Sequence, residues 1–151
     1  MMRRFRGFAA LLAILAIPLG AAVAQTLPET EDPVELIGLS IAELYTRYGP
    51  PESVYAARGL ETWQDDAVFV YGSTEYYLYW DRVWQVKVDA VKSIRVGNRR
   101  GVIPLVLGEG ALELDTCTLY PLNGLSWPMM LRFNVNSAGL ITGIYIYRTD
   151  L

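Results

Sequence analysis

The chain has no histidine. Serine–histidine and cysteine–histidine nucleophile activation both use an imidazole base, so both are excluded, and imidazole metal sites go with them. Cys117 is the only cysteine, so no intramolecular disulfide forms. The alternation Thr116-Cys117-Thr118-Leu119 places Cys117 with Leu119 on one strand face, as a small buried hydrophobe. Basic residues are not in excess: Lys and Arg number 13 against 16 Asp and Glu, a formal net charge of −3. A nucleic-acid surface and a polybasic lipid anchor both need the opposite balance. No glycine-rich phosphate loop or dinucleotide fingerprint is present. Asp65-Asp66 reads as a solvated turn rather than a pair of catalytic carboxylates, and the ligand spacing of an EF-hand is missing. The expectation is a protein that is not an enzyme and that has no cofactor and no metal.

What is present begins with an export signal. Arg3, Arg4 and Arg6 precede an apolar run from Phe8 to about Val23, which ends in Ala22-Val23-Ala24 before Gln25. That is the charged, apolar and small-x-small order of a cleavable signal peptide, assigned to residues 1–24. As a spanning helix the run is short of ~20 apolar residues, and Pro18 interrupts it. No cysteine stands at the cleavage site, so a lipid-attached N-terminus is not supported. Loss of the three arginines leaves ten basic against sixteen acidic side chains, a net charge of −6. The mature chain is then exported, periplasmic or secreted, soluble and without a transmembrane segment.

Residues 25–36 are acidic and contain Pro28 and Pro33, which reads as a flexible leader. The domain, residues 37–151, opens on the clearest local signal in the chain. Ser40 can cap a helix over Ile41–Tyr48 and Glu43 can close the capping box; Gly49, Pro50 and Pro51 end it. Ile37, Ile41, Leu44, Tyr45 and Tyr48 share one face, so the helix must lie on something flat. Ser53 to Arg58 fits either a strand or a second helical turn. Ala67–Tyr71, Tyr76–Trp80 and Val83–Val88 read as strands joined by short turns, hence an antiparallel meander. In the third run Trp84, Val86 and Val88 alternate with Gln85, Lys87 and Asp89, one face packed and one wet. Val102–Leu107 fits a short helix entered through Pro104. Strands follow over Ala111–Tyr120, Trp127–Val135 and Leu140–Arg148, the last two joined by a turn at Asn136–Gly139. Helix, glycine stop and strands thus occur twice, over residues 38–97 and 101–151, as a repeat of pattern rather than of letters. The fold class expected is α+β, with short helices packed on one face of an antiparallel β-meander sheet.

Ten tyrosines and four tryptophans are a surplus for one domain. Tyr71, Tyr76, Tyr77, Tyr79, Trp80 and Trp84 crowd adjacent strands, and Tyr76–Trp80 carries rings on both faces. Tyr and Trp suit interfaces because they combine a large apolar area with a polar handle. Either these rings are core beneath the helix or they form a binding face. The candidate partner-binding residues are Tyr71, Tyr77 and Tyr79, with Trp63, Asp65 and Asp66 at the turn before them.

Gly38-Leu39-Ser40-x-x-Glu43-Leu44-x-x-x-Tyr48-Gly49-x-Pro51 followed by a β-meander resembles the SmpA/OmlA (BamE)-like outer-membrane assembly lipoproteins. It equally resembles the wider β-lactamase-inhibitor-protein-like fold, in which a small helical layer packs on an antiparallel sheet. The resemblance implies a periplasmic, non-enzymatic module that binds another protein through its sheet or loops. Those lipoproteins carry a lipobox cysteine, where this chain has Gln25 after Ala24. The function expected is a cell-envelope binding or scaffold module with a protein partner. The alternatives are a secreted enzyme inhibitor that presents Asp65 and Asp66, and a carrier of an apolar small molecule between helix and sheet.

Overall fold

The computed structural model describes residues 32–58 and 66–151. The signal segment, most of the leader, Gly59, Trp63 and Asp65 lie outside them. Within them the domain starts earlier than the leader boundary implies. Pro33–Leu36 forms a 3-10 turn, because the Asp32 carboxylate accepts the Val34 N–H at 3.0 Å and proline supplies the φ of a first turn. Leu36 is buried in the core. The end of the proposed leader is therefore structure, fixed by burial of a single leucine.

Helix α1, Ile41–Tyr48, carries the capping box. Ser40 Oγ accepts from the Glu43 N–H at 3.2 Å, and Glu43 accepts from the Ser40 N–H at 2.7 Å. These bonds hold the Glu43 carboxyl below its usual range, the bond from the Ser40 backbone foremost. Gly49 ends the helix with φ 75°, a value that disfavours any residue with a Cβ. Strands β1 (Ser53–Ala57), β2 (Asp66–Tyr71), β3 (Thr74–Tyr79) and β4 (Arg82–Val88) follow as a meander. A small hairpin, β5 (Ala90–Val91) and β6 (Ile94–Arg95), leads into helix α2 (Val102–Leu107). A second meander is built from β7 (Leu112–Glu113), β8 (Cys117–Leu122), β9 (Met129–Val135) and β10 (Ile141–Arg148).

The two meanders join in one eight-stranded antiparallel sheet, in the order β1-β2-β3-β4-β10-β9-β8-β7. The last strand of each half meets the last strand of the other, so β4 and β10 form a central seam. Local rules repeat on either side of it. Gly38 N–H donates to Val83 O and Gly97 N–H donates to Ile141 O, each at 2.8 Å. Gly38 and Gly97 share φ 91°. Leu44 and Ile103 are the fully buried anchors of α1 and α2. Gly38 and Gly97, Leu44 and Ile103, and Gly49 and Gly108 share one spacing along the chain. Each half also carries a β-bulge just inside its last strand, at Trp84 in β4 and at Thr142 in β10.

Both helices lie on the same face of the sheet. Beneath them pack Phe69, Tyr71, Tyr76, Leu78, Val83 and Val86 from the first half, and Leu131, Phe133, Ile144 and Ile146 from the second. The Tyr48 ring lies 5.4 Å from that of Tyr71 and 5.9 Å from that of Tyr76, so rings occupy the space between helix and sheet. Each fully buried side chain of this size stabilises the fold by about 1.5–3 kcal/mol relative to exposure. Tyr45, expected on the buried face of α1, sits at its margin, half exposed, with its ring edge-on to Phe69 at 6.1 Å.

Two face assignments differ from simple alternation. The bulge leaves Trp84 without a partner opposite, which turns it away from Val86 and Val88. Cys117 and Leu119 point away from the helices, while Thr118 is fully buried. Thr118 pairs with Phe133 in register, and a one-residue choice of register sends every side chain of a strand to the other face.

Candidate functional site

No described helix packs on the second face of the sheet. Residues directly opposed in register share a face, so the pairings define what lies there. One row runs Glu75, Lys87, Tyr145, Arg132 and Leu119 across β3, β4, β10, β9 and β8. The next runs Tyr55, Val68, Tyr77, Gln85, Tyr147 and Met130. This outer face therefore carries charged groups and half-exposed rings, where the helix face packs aliphatic side chains and buried rings.

Glu75 is the hub of the first half. Its Oε2 accepts from Tyr55 O–H at 2.6 Å and from Tyr77 O–H at 2.9 Å, and its Oε1 accepts from Lys87 Nζ. Burial by itself raises the Glu75 carboxyl. The hydrogen bonds from Lys87, Tyr55 and Tyr77, with the Lys87 charge, outweigh it and hold the group below the usual carboxylate range. Lys87 moves the other way, since its bond to Glu75 favours the ammonium form more than burial disfavours it. Burial, then the bonds with Tyr55 and Glu75, pushes the Tyr77 phenol far up. The cluster is locked as carboxylate, ammonium and neutral phenols across the ordinary pH range.

In the second half the equivalent row position holds Arg132. Its guanidinium lies over the Tyr145 ring at 4.5 Å and near the Tyr147 ring at 5.7 Å. Tyr147 meets Trp84 edge-to-face at 6.4 Å, and the Trp84 indole N–H donates to Asp66 at 3.1 Å. At the end of the sheet the β3–β4 turn carries Trp80 and Asp81, both left-handed, at φ 48° and 66°. Trp80 is 84% exposed, and its ring lies 6.1 Å from that of Tyr79. Left-handed φ at both central residues is the geometry of a type I′ hairpin turn, which favours Asn-Gly. A bulky aromatic there costs roughly 1 kcal/mol of backbone strain and gains no burial in return.

The candidate residues divide on these grounds. Tyr77 and Tyr79 lie on the outer face, half-buried. Tyr71 does not: it is 3% exposed within the core, its O–H donating to Gly49 O at 3.0 Å, so it is removed from any accessible face. Asp66 is the first residue of β2 and buried rather than part of a solvated turn, because the Trp84 indole covers and bonds it. Trp63 and Asp65 lie outside the described residues. Sequence reasoning missed Glu75, Lys87, Tyr145, Tyr147 and Arg132 as one surface. The alternation of Tyr145 and Tyr147 with Ile144 and Ile146 was the available signal, and only the β4–β10 pairing joins it to the first half. Among the described residues, no group of three or more Cys, Asp and Glu converges as a metal site, and no helix is long and apolar enough to cross a membrane.

No protein-family model matches the chain, and no curated protein matches its sequence. The fold is similar to that of an extracellular protein containing an SCP domain from Bacillus anthracis, with a TM-score of 0.52 at 11% identity, covering 82% of this chain and 48% of that one. It is similar to a cysteine-rich secretory protein from Staphylococcus aureus at the same TM-score and identity, covering 80% of this chain and 47% of that one. The chain spans about half the length of each. The resemblance to SmpA/OmlA-like lipoproteins and to the β-lactamase-inhibitor-protein-like fold is thereby corrected: the similar solved structures are SCP-type extracellular proteins. The capped helix ending in Gly-x-Pro is a local solution to helix termination that unrelated folds reach independently.

Proposed function

We propose that this chain is an exported, non-catalytic binding module that acts by contacting another protein through the outer face of its sheet. The observation that carries the reading is that face itself. It displays half-buried Tyr77, Tyr79, Tyr145 and Tyr147, ends at the exposed and strained Trp80, and carries no described helix. Large rings held by a rigid sheet bury area on contact at low entropic cost, which is why they dominate interface energetics. Export is supported by the n-region arginines and Ala22-Val23-Ala24, and by the extracellular proteins that share the fold. Absence of histidine supports a role by contact rather than by acid–base turnover.

The test is a photo-crosslinkable residue placed at Tyr79 or Trp80 and, as control, at Tyr45 beside the helices, in the native host. A discrete adduct from the sheet-face positions, absent from position 45 and, for the Trp80 probe, lost in Tyr77→Ala/Tyr79→Ala, supports the reading. Identical adducts from both faces, or none from either, overturn it. Mass spectrometry of the exported product checks the signal assignment, with Gln25 expected at its N-terminus.

A further inference from the structure

Two cations share one row of the outer face, Lys87 and Arg132. Lys87 is matched by Glu75. Away from this face, Arg82, Arg100 and Arg148 pair with Glu43, Glu113 and Asp150. Arg132 is half-buried on β9 and, among the described residues, has no ion pair and no hydrogen bond. Its Nε is buried without an acceptor among the described residues. A guanidinium shielded in this way loses hydration without gaining a counter-charge, a state that a ligand can relieve.

We infer that Arg132, pinned against Tyr145 and Tyr147, is a carboxylate-recognition site for an acidic segment of the protein partner. The inference rests on the proposed contact role of this face and names its chemistry. The Tyr145 ring at 4.5 Å and the Tyr147 ring at 5.7 Å hold the guanidinium against the sheet, and a guanidinium is itself a planar fork of donors. A planar fork matches a planar carboxylate with two parallel hydrogen bonds. Among the described residues the Tyr145 and Tyr147 hydroxyls have no hydrogen-bond partner, so they can serve as further donors. A dianion such as phosphate suits the place less well: one uncompensated cation faces it, and the Lys87 charge is committed to Glu75 in the same row. The aromatic surface running from Arg132 toward Tyr77 and Tyr79 is the path along which an extended peptide meets both features. The chain as a whole is acidic, so a local cation admits an acidic segment only in the register that reaches Arg132.

Isotope-labelled protein is titrated with a short, end-blocked glutamate-rich peptide, its glutamine counterpart and inorganic phosphate, while the Arg132 Nε–H signal and the Tyr145 and Tyr147 ring signals are followed. The glutamate peptide is expected to move these signals to saturation and the other two to leave them in place. Arg132→Lys, which keeps the charge but not the fork, weakens binding about tenfold or more, and Arg132→Gln abolishes it, with thermal melts confirming that both variants fold. Equal shifts from the glutamine peptide or phosphate, no shift with glutamate, or retention of affinity in Arg132→Lys overturns the assignment. The crosslinking experiment separates the two readings. Capture lost in Tyr77→Ala/Tyr79→Ala but unchanged in Arg132→Gln sinks the carboxylate site and leaves the contact face standing. Glutamate binding at Arg132 without sheet-face capture does the reverse.

Discussion

Replacing Glu75 with glutamine keeps the size of the side chain and one acceptor oxygen but removes the charge. In the native protein that carboxylate accepts from Tyr55, Tyr77 and Lys87. The Glu75 side chain is 18% exposed and that of Lys87 33%, so the pair lies between an exposed salt bridge and a buried one. An exposed pair contributes about 0–1 kcal/mol, and breaking a buried one costs about 3–5 kcal/mol. Glutamine still serves one phenol but leaves the ammonium without its counter-charge, which sets the expected loss near 2 kcal/mol at neutral pH. For a domain of this size that lowers Tm by roughly 8 °C. The pH dependence is the sharper test. The Glu75 carboxyl is lowered in the folded state, so its contribution is complete above the unfolded value of about 4.3 and is lost as pH falls through the folded value. Lys87 is raised, so its contribution is complete below about 10.4 and is lost as pH rises through the folded value. Urea unfolding of wild type and Glu75→Gln at pH 7 and near pH 3 reads both limits. The gap should shrink as pH falls below the unfolded carboxyl's range, because the unfolded state takes up its proton first and the stabilisation tied to the lowered folded value is progressively lost. A gap under about 0.5 kcal/mol at pH 7, or one unchanged in acid, refutes the hub.

Leu44→Ala should cost about 2–5 kcal/mol in chemical denaturation, because Leu44 is 0% exposed and its removal opens a cavity under α1. Gly38→Ala should cost clearly more than Gly97→Ala: both glycines have φ 91°, but a Cβ at Gly38 would overlap the Trp127 ring, which Arg148 holds at 4.4 Å, whereas at Gly97 the space is open. The φ strain alone is worth about 1–2 kcal/mol, and equal losses from paired melts would refute the difference. Trp80→Asn should raise stability by roughly 0.5–1 kcal/mol, since asparagine tolerates the left-handed turn and Trp80 buries little. The same variant should lose capture of the crosslinked partner; loss of stability would instead show that Trp80 supports the fold.

The elements legible in the sequence were those whose causes lie within a few residues. Ser40, Glu43 and Gly49 define α1 at three- and four-residue range, and the Asn136–Gly139 turn defines the β9–β10 hairpin. Gly49 and Gly108 each end a helix, a stop that local sequence alone signals. The candidate site was half legible. Tyr77 and Tyr79 were named with Tyr71, but a period of two says that neighbours alternate and not which face a helix will cover. Trp84 was assigned to the wrong face because one bulged residue reverses the alternation. Arg132 was visible only as the polar side of a strand.

The sequence by itself determined the helix caps, the hairpins, the absence of imidazole chemistry and the α+β class, because each follows from local backbone preference or from side chains that are not there. Tertiary structure decided which tyrosines are core and which are surface, and it placed Glu75 and Arg132 in a single row. That row exists because β4 and β10, the last strands of two halves far apart in the chain, pair at the centre of one sheet. Pairing at that range is selected by the fit of two complete apolar faces beneath the helices, a condition that no short stretch of either half encodes.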